Sequence, residues 1–285
     1  KCRRKLQVVA HKFFSNETMS KLYFRIFLNK SLNLENPKTF NEKLQWYKLY
    51  YCPNSPLVVQ CTDKYAVRSY VESKGLGNYL TNLFGSWDDA EEIEWNKLPN
   101  QFVLKCNHGC AYNILCSNKN KLNKKKVTKQ LKTWIKEDFG AFNIEIHYSK
   151  IQQRKIICEE YLGDVIMDYK FYCFNGVPQF FYVSNNLIHD RQAQIGFFNL
   201  DGSKLPLVRD DYKDINRVEL PEYYSEMLNV VKILCEDFPF VRVDFFVANN
   251  RFYFAELTFT PGAAMMPINP EEFDLEWGKL LDLST

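Results

Sequence analysis

The sequence predicts an α+β fold in which a mainly helical region, residues 1–100, precedes an antiparallel α+β unit. Three observations predict it. Apolar side chains in the front region recur at helical spacing, and short β-rich runs take over from Gln101. Asn175-Gly176 then sits between two alternating runs, a strong signal for a type I′ hairpin. At 285 residues there is ample chain to bury a core.

Taken in order, Thr39 and Glu42 form a capping box that opens "NEKLQWYKLYY", where Phe40, Leu44 and Tyr47 fall on one helical stripe. Thr62 or Asp63 is placed to cap "KYAVRSYVESK", which Gly75 would end. Strands are expected at "FVLKC", "KIICEEYL", "DYKFYCF", "PQFFYVS", "AQIGFFN", "VRVDFFV" and "RFYFAEL", with a helix over 126–138 that keeps Val127, Leu131, Trp134 and Ile135 on one side. The expected division is a front region 1–100, a first subdomain 101–160 and a second subdomain 161–285.

Composition removes several function classes. A net charge of +3 with no basic arm interleaved with aromatics argues against nucleic acid. No run approaches the length of apolar chain that spans a bilayer. The opening "KCRRKLQVVAHKFF" is interrupted by His11 and Lys12, unlike a secretory signal. Nine cysteines, an odd number without framework spacing, are expected to be reduced thiols in a cytosol or at its membrane face.

The segment "FVLKCNHGCAYNILC" (102–116) bears on chemistry directly. Cys106, His108 and Cys110 are spaced i, i+2, i+4, but structural zinc sites use paired knuckles and no second pair exists. No C-x-x-C suggests a redox motif, and buried thiols are common core fillers. Lys105 differs: strand alternation puts it with Val103, opposite Phe102 and Leu104, beside a glycine-containing turn. A point charge where backbone N–H groups converge suits polyphosphate, although neither G-x4-G-K-[ST] nor G-x-G-x-x-G occurs.

"VRVDFFVANNRFYFAELTFTPG" (241–262) reads as a hairpin turning around Asn249–Arg251. With a three-residue turn or a bulge, 244 faces 256, 246 faces 254 and 248 faces 252. Asp244, Glu256 and Thr258 then share a face. A tight Asn249-Asn250 turn would send Glu256 to the other side. Two carboxylates that close repel by about 4 kcal/mol at an effective dielectric near 20. Either a hard cation such as Mg²⁺ sits between them, or Arg242 on the same face pairs with them and no metal is needed. In "IICEEYLGD", Glu159 and Glu160 close a strand whose exit suits a purine packed on Leu162, or they are a solvated surface pair. Lys170 either contacts phosphate or ribose, or pairs with Asp168.

In their order, "DKYAVR" (63–68), "FVLKCNHG" (102–109), "EEYL" (159–162), "DYKFYCFNG" (168–176), "VRVDFF" (241–246) and "FAELTFTPG" (254–262) resemble the TupA-like ATP-grasp family over roughly residues 20–283. The resemblance implies an ATP-grasp fold, with 101–160 as the lid subdomain and 161–285 as the subdomain carrying the Mg²⁺ hairpin. It implies ATP and Mg²⁺ as cofactors. Lys64, Lys105 and Lys170 would meet the phosphates, with His108, Gly109 and Asn113 in the lid. Glu159, Glu160, Tyr161 and Leu162 would surround adenine and ribose. Asp244, Glu256 and Thr258 would hold the metal, and Arg242, Lys105 and Lys170 would act in catalysis, Arg242 beside an acyl phosphate. Thr258 stands where the wider superfamily often has Asn. Gly109-Cys110-Ala111 replaces an expected Gly-Ser-Gly, which stiffens the turn; Cys110 simply fills a small-residue position.

The activity implied is a carboxylate–amine ligase making an amide through an acyl phosphate. Its substrates would be a uronic acid of a bacterial capsule or surface polysaccharide and an amino acid or amino alcohol, free or phosphorylated. Two other classes are a glycosyltransferase, against which the absence of Asp-x-Asp speaks, and a non-catalytic nucleotide- or glycan-binding module. The chain is expected to belong to a larger polysaccharide-synthesis protein or pathway, with peripheral membrane association. The eight lysines of 119–136 are a solvated helix face, or attract an anionic glycan or membrane. His108, His147 and His189 are candidate bases, and His189-Asp190-Arg191 a substrate-side loop by position alone.

Overall fold

The computed structural model describes residues 13–164, 166–185, 193–209 and 212–283. The expected loop His189-Asp190-Arg191 lies outside them. Four helices lead: α1 (Asn16–Leu28), α2 (Phe40–Trp46), α3 (Pro56–Thr62) and α4 (Val67–Ser73). Both reciprocal bonds of the Thr39/Glu42 capping box form, and α2 continues through a π turn, Tyr47–Tyr51. The helix expected from Lys64 starts later, at Val67. Asp63 Oδ1 accepts from the N–H groups of Tyr65 and Ala66 at 2.7 and 3.1 Å, bending 63–66 into a turn. That turn leaves Lys64 projecting from a non-helical backbone, tied by its own N–H to Asn107 O at 3.1 Å.

The first sheet has the order β1-β4-β2-β3, all antiparallel: β1 (Leu83–Trp87), β2 (Phe102–Cys106), β3 (Asn113–Cys116) and β4 (Ile156–Glu159). It therefore draws β1 from within the front region. "LFGSW" has no alternating pattern to announce a strand. It also contains Gly85, over which the Trp87 ring folds so closely that a Cβ would meet it at 2.5 Å. Helix α5 (Lys124–Lys136) covers this sheet with Val127 and Leu131 buried and its lysines outward, Lys132 meeting Glu91 at 2.7 Å. Two short helices, α6 (Phe139–Asn143) and α7 (Ile146–Ser149), complete this part.

The second sheet has the order β10-β9-β5-β6-β7-β8: β5 (Met167–Phe174), β6 (Val177–Asn185), β7 (Gln194–Asn199), β8 (Lys213–Asp214), β9 (Phe240–Ala248) and β10 (Arg251–Thr258). Only the β7–β8 pair is parallel. Asn175 and Gly176 both take positive φ, +49° and +74°, as a type I′ turn requires. Phe171, Val243 and Phe245 are buried on one face, where Phe171 meets Tyr224 of α8 (Tyr224–Cys235). On the other face Tyr172 and Phe174 pack under α2 and α9 (Glu272–Leu280). There Phe40 meets Tyr172, Phe174, Phe240 and Trp277 with ring centroids 5.3–6.3 Å apart. The front helices are thus part of the second sheet's core. Gly278 permits their close approach, since a Cβ there would lie 2.1 Å from Lys38 O.

Candidate active site

The hairpin of β9 and β10 sets the site. Its turn is the tight one: Asn249 and Asn250 have φ of +53° and +55°, Ala248 pairs with Arg251, and Phe246 with Tyr253. The expected pairings of 246 with 254 and 248 with 252 are therefore wrong by one. A bulge at Ala255 inserts one residue between Phe254 and Glu256, and from there Glu256 faces Asp244 and Thr258 faces Arg242. Asp244 also lies opposite Lys170 on β5. One row across three strands, Glu256–Asp244–Lys170, is the result.

Asp244 is fully buried. Its Oδ1 accepts from Arg242 Nε at 2.7 Å, while Oδ2 accepts from Arg242 Nη2 at 2.6 Å and Lys170 Nζ at 2.9 Å. Lys170 also meets Asp168 at 3.2 Å. Burial lowers the Lys170 ammonium's affinity for its proton, but Asp244 and Asp168 outweigh it and hold the group charged. Glu256 receives Lys64 at 3.4 Å and Arg242 at 3.9 Å. Burial pushes its carboxyl up, yet Lys64, Lys170 and Arg242 together bring it down to about 2. Three cations and three carboxylates interlock, and each one's desolvation is offset by the others.

The first sheet contributes Lys105, which donates to Glu159 Oε2 at 2.6 Å and lies 5.9 Å from the Phe246 ring centroid across the gap. Between the sheets opens a cavity of about 580 Å³. Lys64, Lys105, Lys170, Asp168 and Glu256 form its charged end, while Val103, Leu115, Leu162 and Phe246 are apolar lining; Asn113, Glu160 and Tyr161 also border it. Glu160 is held by Asn82 Nδ2 at 2.8 Å, and the Tyr161 hydroxyl donates to Asp164.

Three residues expected around the nucleotide do not line this cavity. Glu159 is buried as the counter-ion of Lys105 and of Arg68, at 3.1 Å, and leaves the cavity wall to Glu160–Leu162. His108 turns inward, its Nε2 within 3.1 and 3.2 Å of the Trp134 and Glu137 carbonyls. Burial, aided by Arg154, lowers it to about 4. Gly109 packs against Tyr112, whose ring a Cβ would meet at 2.7 Å. His147 is buried, lowered by that burial to about 3, and does not line the cavity. The turn between β2 and β3 spans 107–112, because Asn113 already begins β3. Ala111, where a second glycine was expected, takes φ +59° in the left-handed region. Sequence reasoning overlooked Arg68, although it sits inside "DKYAVR", and left out Asp168, which the strand alternation had placed beside Lys170.

Mg²⁺ takes hard oxygen ligands and keeps waters. Glu256 and Thr258, with oxygens 3.4 Å apart beside Asp244, supply that donor chemistry. Lys64 and Arg242 engage those oxygens and Lys170 engages Asp244, and among the described residues no three His, Cys, Asp or Glu side chains form a ready metal pocket. The donors fit a hard cation arriving with phosphates.

Cys110 is exposed at the mouth of the cavity, whereas the other seven described cysteines are buried. Protein crowded around the turn desolvates its thiol and, with Glu256, raises it, opposed by Lys64, while the residue stays open to solvent. N-ethylmaleimide at pH 8.5, in a Cys2→Ser background, is expected to label Cys110 first, with ATP slowing the reaction at least tenfold. Mass mapping of the labelled peptide checks this, and labelling indifferent to ATP would remove nucleotide from this cavity.

The sequence matches the family described as TupA-like ATPgrasp over residues 42–282. No curated protein sequence matches the chain. Among solved structures, D-alanine–D-alanine ligase from Helicobacter pylori is 14% identical, with 87% of this chain and 70% of that one covered and a TM-score of 0.50. The ligase from Coxiella burnetii is 15% identical over 85% and 60%, TM-score 0.48. That from Bacillus anthracis complexed with ATP is 15% identical over 70% and 55%, TM-score 0.43. The chain thus spans little more than half of the Bacillus anthracis ligase's length. With two α+β sheets enclosing one cavity, and the family match running through both, this chain belongs to the TupA-like ATP-grasp family.

Proposed function

We propose that the protein is an ATP-dependent carboxylate–amine ligase, joining an amino acid or amino alcohol, free or phosphorylated, to a uronic acid of a bacterial capsular or surface polysaccharide. The observation that carries this reading is that Lys105 of the first sheet faces the Lys64–Glu256–Asp244–Lys170–Arg242 cluster across one cavity. Preorganised cations of this kind stabilise charge as it develops without reorganising.

Adenine enters the apolar end, against Leu162 and Phe246, with the backbone of 160–162 at its edge. Lys105 and Lys64 draw the phosphates inward and Lys170 holds the terminal one. A substrate carboxylate oxygen bonds to the γ-phosphorus as the bond to the ADP oxygen breaks, giving acyl phosphate and ADP. The amine nitrogen then bonds to the acyl carbon, phosphate leaves with the bonding pair, and the amine's proton passes to solvent. Arg242 faces both steps, held in place by Asp244. Mg²⁺, held by Glu256 and Thr258 with Asp244 beside them, would neutralise phosphate charge. The turn 107–112 excludes water from the acyl phosphate. A reaction consuming ATP, and eight free thiols among the described cysteines, support a cytoplasmic setting. Among the described residues no helix is long and apolar enough to cross a membrane.

ADP release measured against panels of uronates and amines tests the reading. Release should require both substrates, and Glu256→Gln should lower it by about 10²–10³-fold, the usual cost of losing one transition-state electrostatic partner. Transfer from a nucleotide sugar without ADP release would sink the ligase in favour of a glycosyltransferase, and full activity in Glu256→Gln would remove the metal role.

A further inference from the structure

Helix α2 and the π turn after it carry polar residues on an inward face. Asn41, Gln45 and Lys48, spaced i, i+4, i+7, share that face, and each is at most 1% exposed. Burying an ammonium is costly without charged or hydrogen-bonding partners, so where these three point is informative. All reach the segment that leaves the catalytic hairpin. Asn41 brackets Met266, donating from Nδ2 to its carbonyl and accepting at Oδ1 from its N–H, both at 3.0 Å. Gln45 Nε2 donates to Ala264 O at 3.0 Å. Lys48 Nζ donates to Ala263 O at 3.0 Å and to Asn143 O at 3.2 Å.

The segment they hold is strained. Gly262, Ala263 and Ala264 take φ of +59°, +55° and +60° in succession. For an alanine the left-handed region costs about 1–2 kcal/mol, and such strain persists only where the surroundings over-determine it. Lys48 also faces Glu145, whose Oε1 accepts from Thr260 Oγ1 at 2.5 Å. Thr260 follows two residues after Thr258, whose hydroxyl accepts from Arg242 Nη2 at 3.1 Å. Tyr148, on the turn after Glu145, is within electrostatic reach of Glu256, Cys110 and Arg242. Lys48 therefore joins the front helix, the connector 143–148 of the lid side and the exit of the catalytic hairpin at one buried point.

We propose that Lys48, assisted by Gln45, is a positioning residue for the ligation: it fixes residues 260–264 so that Arg242 and Glu256 meet the second substrate in one geometry. The inference rests on the ligase reading, and it assigns Lys48 no contact with ATP. A role confined to stability would vanish once the strain is relieved by other means, which allows a test in the full chain.

Lys48→Met keeps the volume and removes the charge, Ala263→Gly relieves the strain, and the double variant combines them. ADP-release kinetics, thermal midpoints and hydrogen exchange of peptides over 259–266 are measured for each. In Lys48→Met, kcat should fall by about 100-fold, the scale of a misplacement near 1 Å, with KM for ATP unchanged and exchange over 259–266 faster. In the double variant the midpoint should return while kcat stays low. Recovery of kcat together with the midpoint, or a rise in KM for ATP matching the loss in kcat, overturns the proposal. Should Lys48→Met not fold, Gln45→Leu carries the same comparison. If the parent releases no ADP with any carboxylate, the ligase reading fails and the positioning role falls with it. In an active parent, unchanged exchange over 259–266 in Lys48→Met overturns the positioning role alone.

Discussion

Asp244→Asn is expected to cost about 3–5 kcal/mol of stability, the range for breaking a buried ion pair by removing one partner, and to abolish ADP release. Arg242 and Lys170 would each lose a charged acceptor while staying nearly as buried as before. Asparagine keeps the volume, so packing loss is not the cause. Chemical denaturation of the variant measures the first effect. The double variant Lys170→Met/Asp244→Asn should recover part of that stability, since it removes one stranded cation, and remain inactive. Stability unchanged in the single variant would mean that water reaches the cluster and that Asp244 is not the anchor of Arg242. The acid limb follows from Glu256: its carboxyl is held at about 2, below the usual value of 4.5. Its contribution to stability is thus full above pH 4.5 and lost as pH falls through about 2.

Phe40→Ala should be comparably severe, about 3–5 kcal/mol for a buried phenylalanine, although Phe40 lies in the helical front and outside the charged cluster of the cavity. Its ring is fully buried among Tyr172, Phe174, Phe240 and Trp277. Because these belong to the second sheet and to α9, the loss should lower one cooperative transition seen by far-ultraviolet and aromatic circular dichroism alike. Two separated transitions, with only the first affected by the substitution, would show the front helices folding as their own unit.

These two residues mark how differently the chain's features could be read. Phe40 lay on a helical stripe opened by a capping box, and both the helix and its apolar face were legible. What that face covers was not, because its partners lie more than 130 residues away. The bulge at Ala255 left a trace: the apolar phase runs Phe252, Phe254 and then shifts to Leu257 and Phe259, which is how an inserted residue looks in a strand. That trace decides whether Glu256 points into the cavity or away from it, and it outweighed the tight turn. Ala111 is a further case. The loss of an expected glycine was visible, but not that alanine would take the left-handed conformation itself.

From sequence alone came the α+β class, the caps, the Asn-Gly hairpin, the phase of Lys105 in its strand and the ordered motifs of the ATP-grasp family. Each depends on hydrogen bonds or side-chain alternation spanning a few residues, so each is written locally. Tertiary structure alone settled that Glu159 serves Lys105 and Arg68, that His108 turns inward, that "LFGSW" joins a sheet, and that Lys48 braces the hairpin's exit. The reason is energetic: a buried charge goes where a distant partner can offset its desolvation, and only the folded register brings such partners within 3 Å or so.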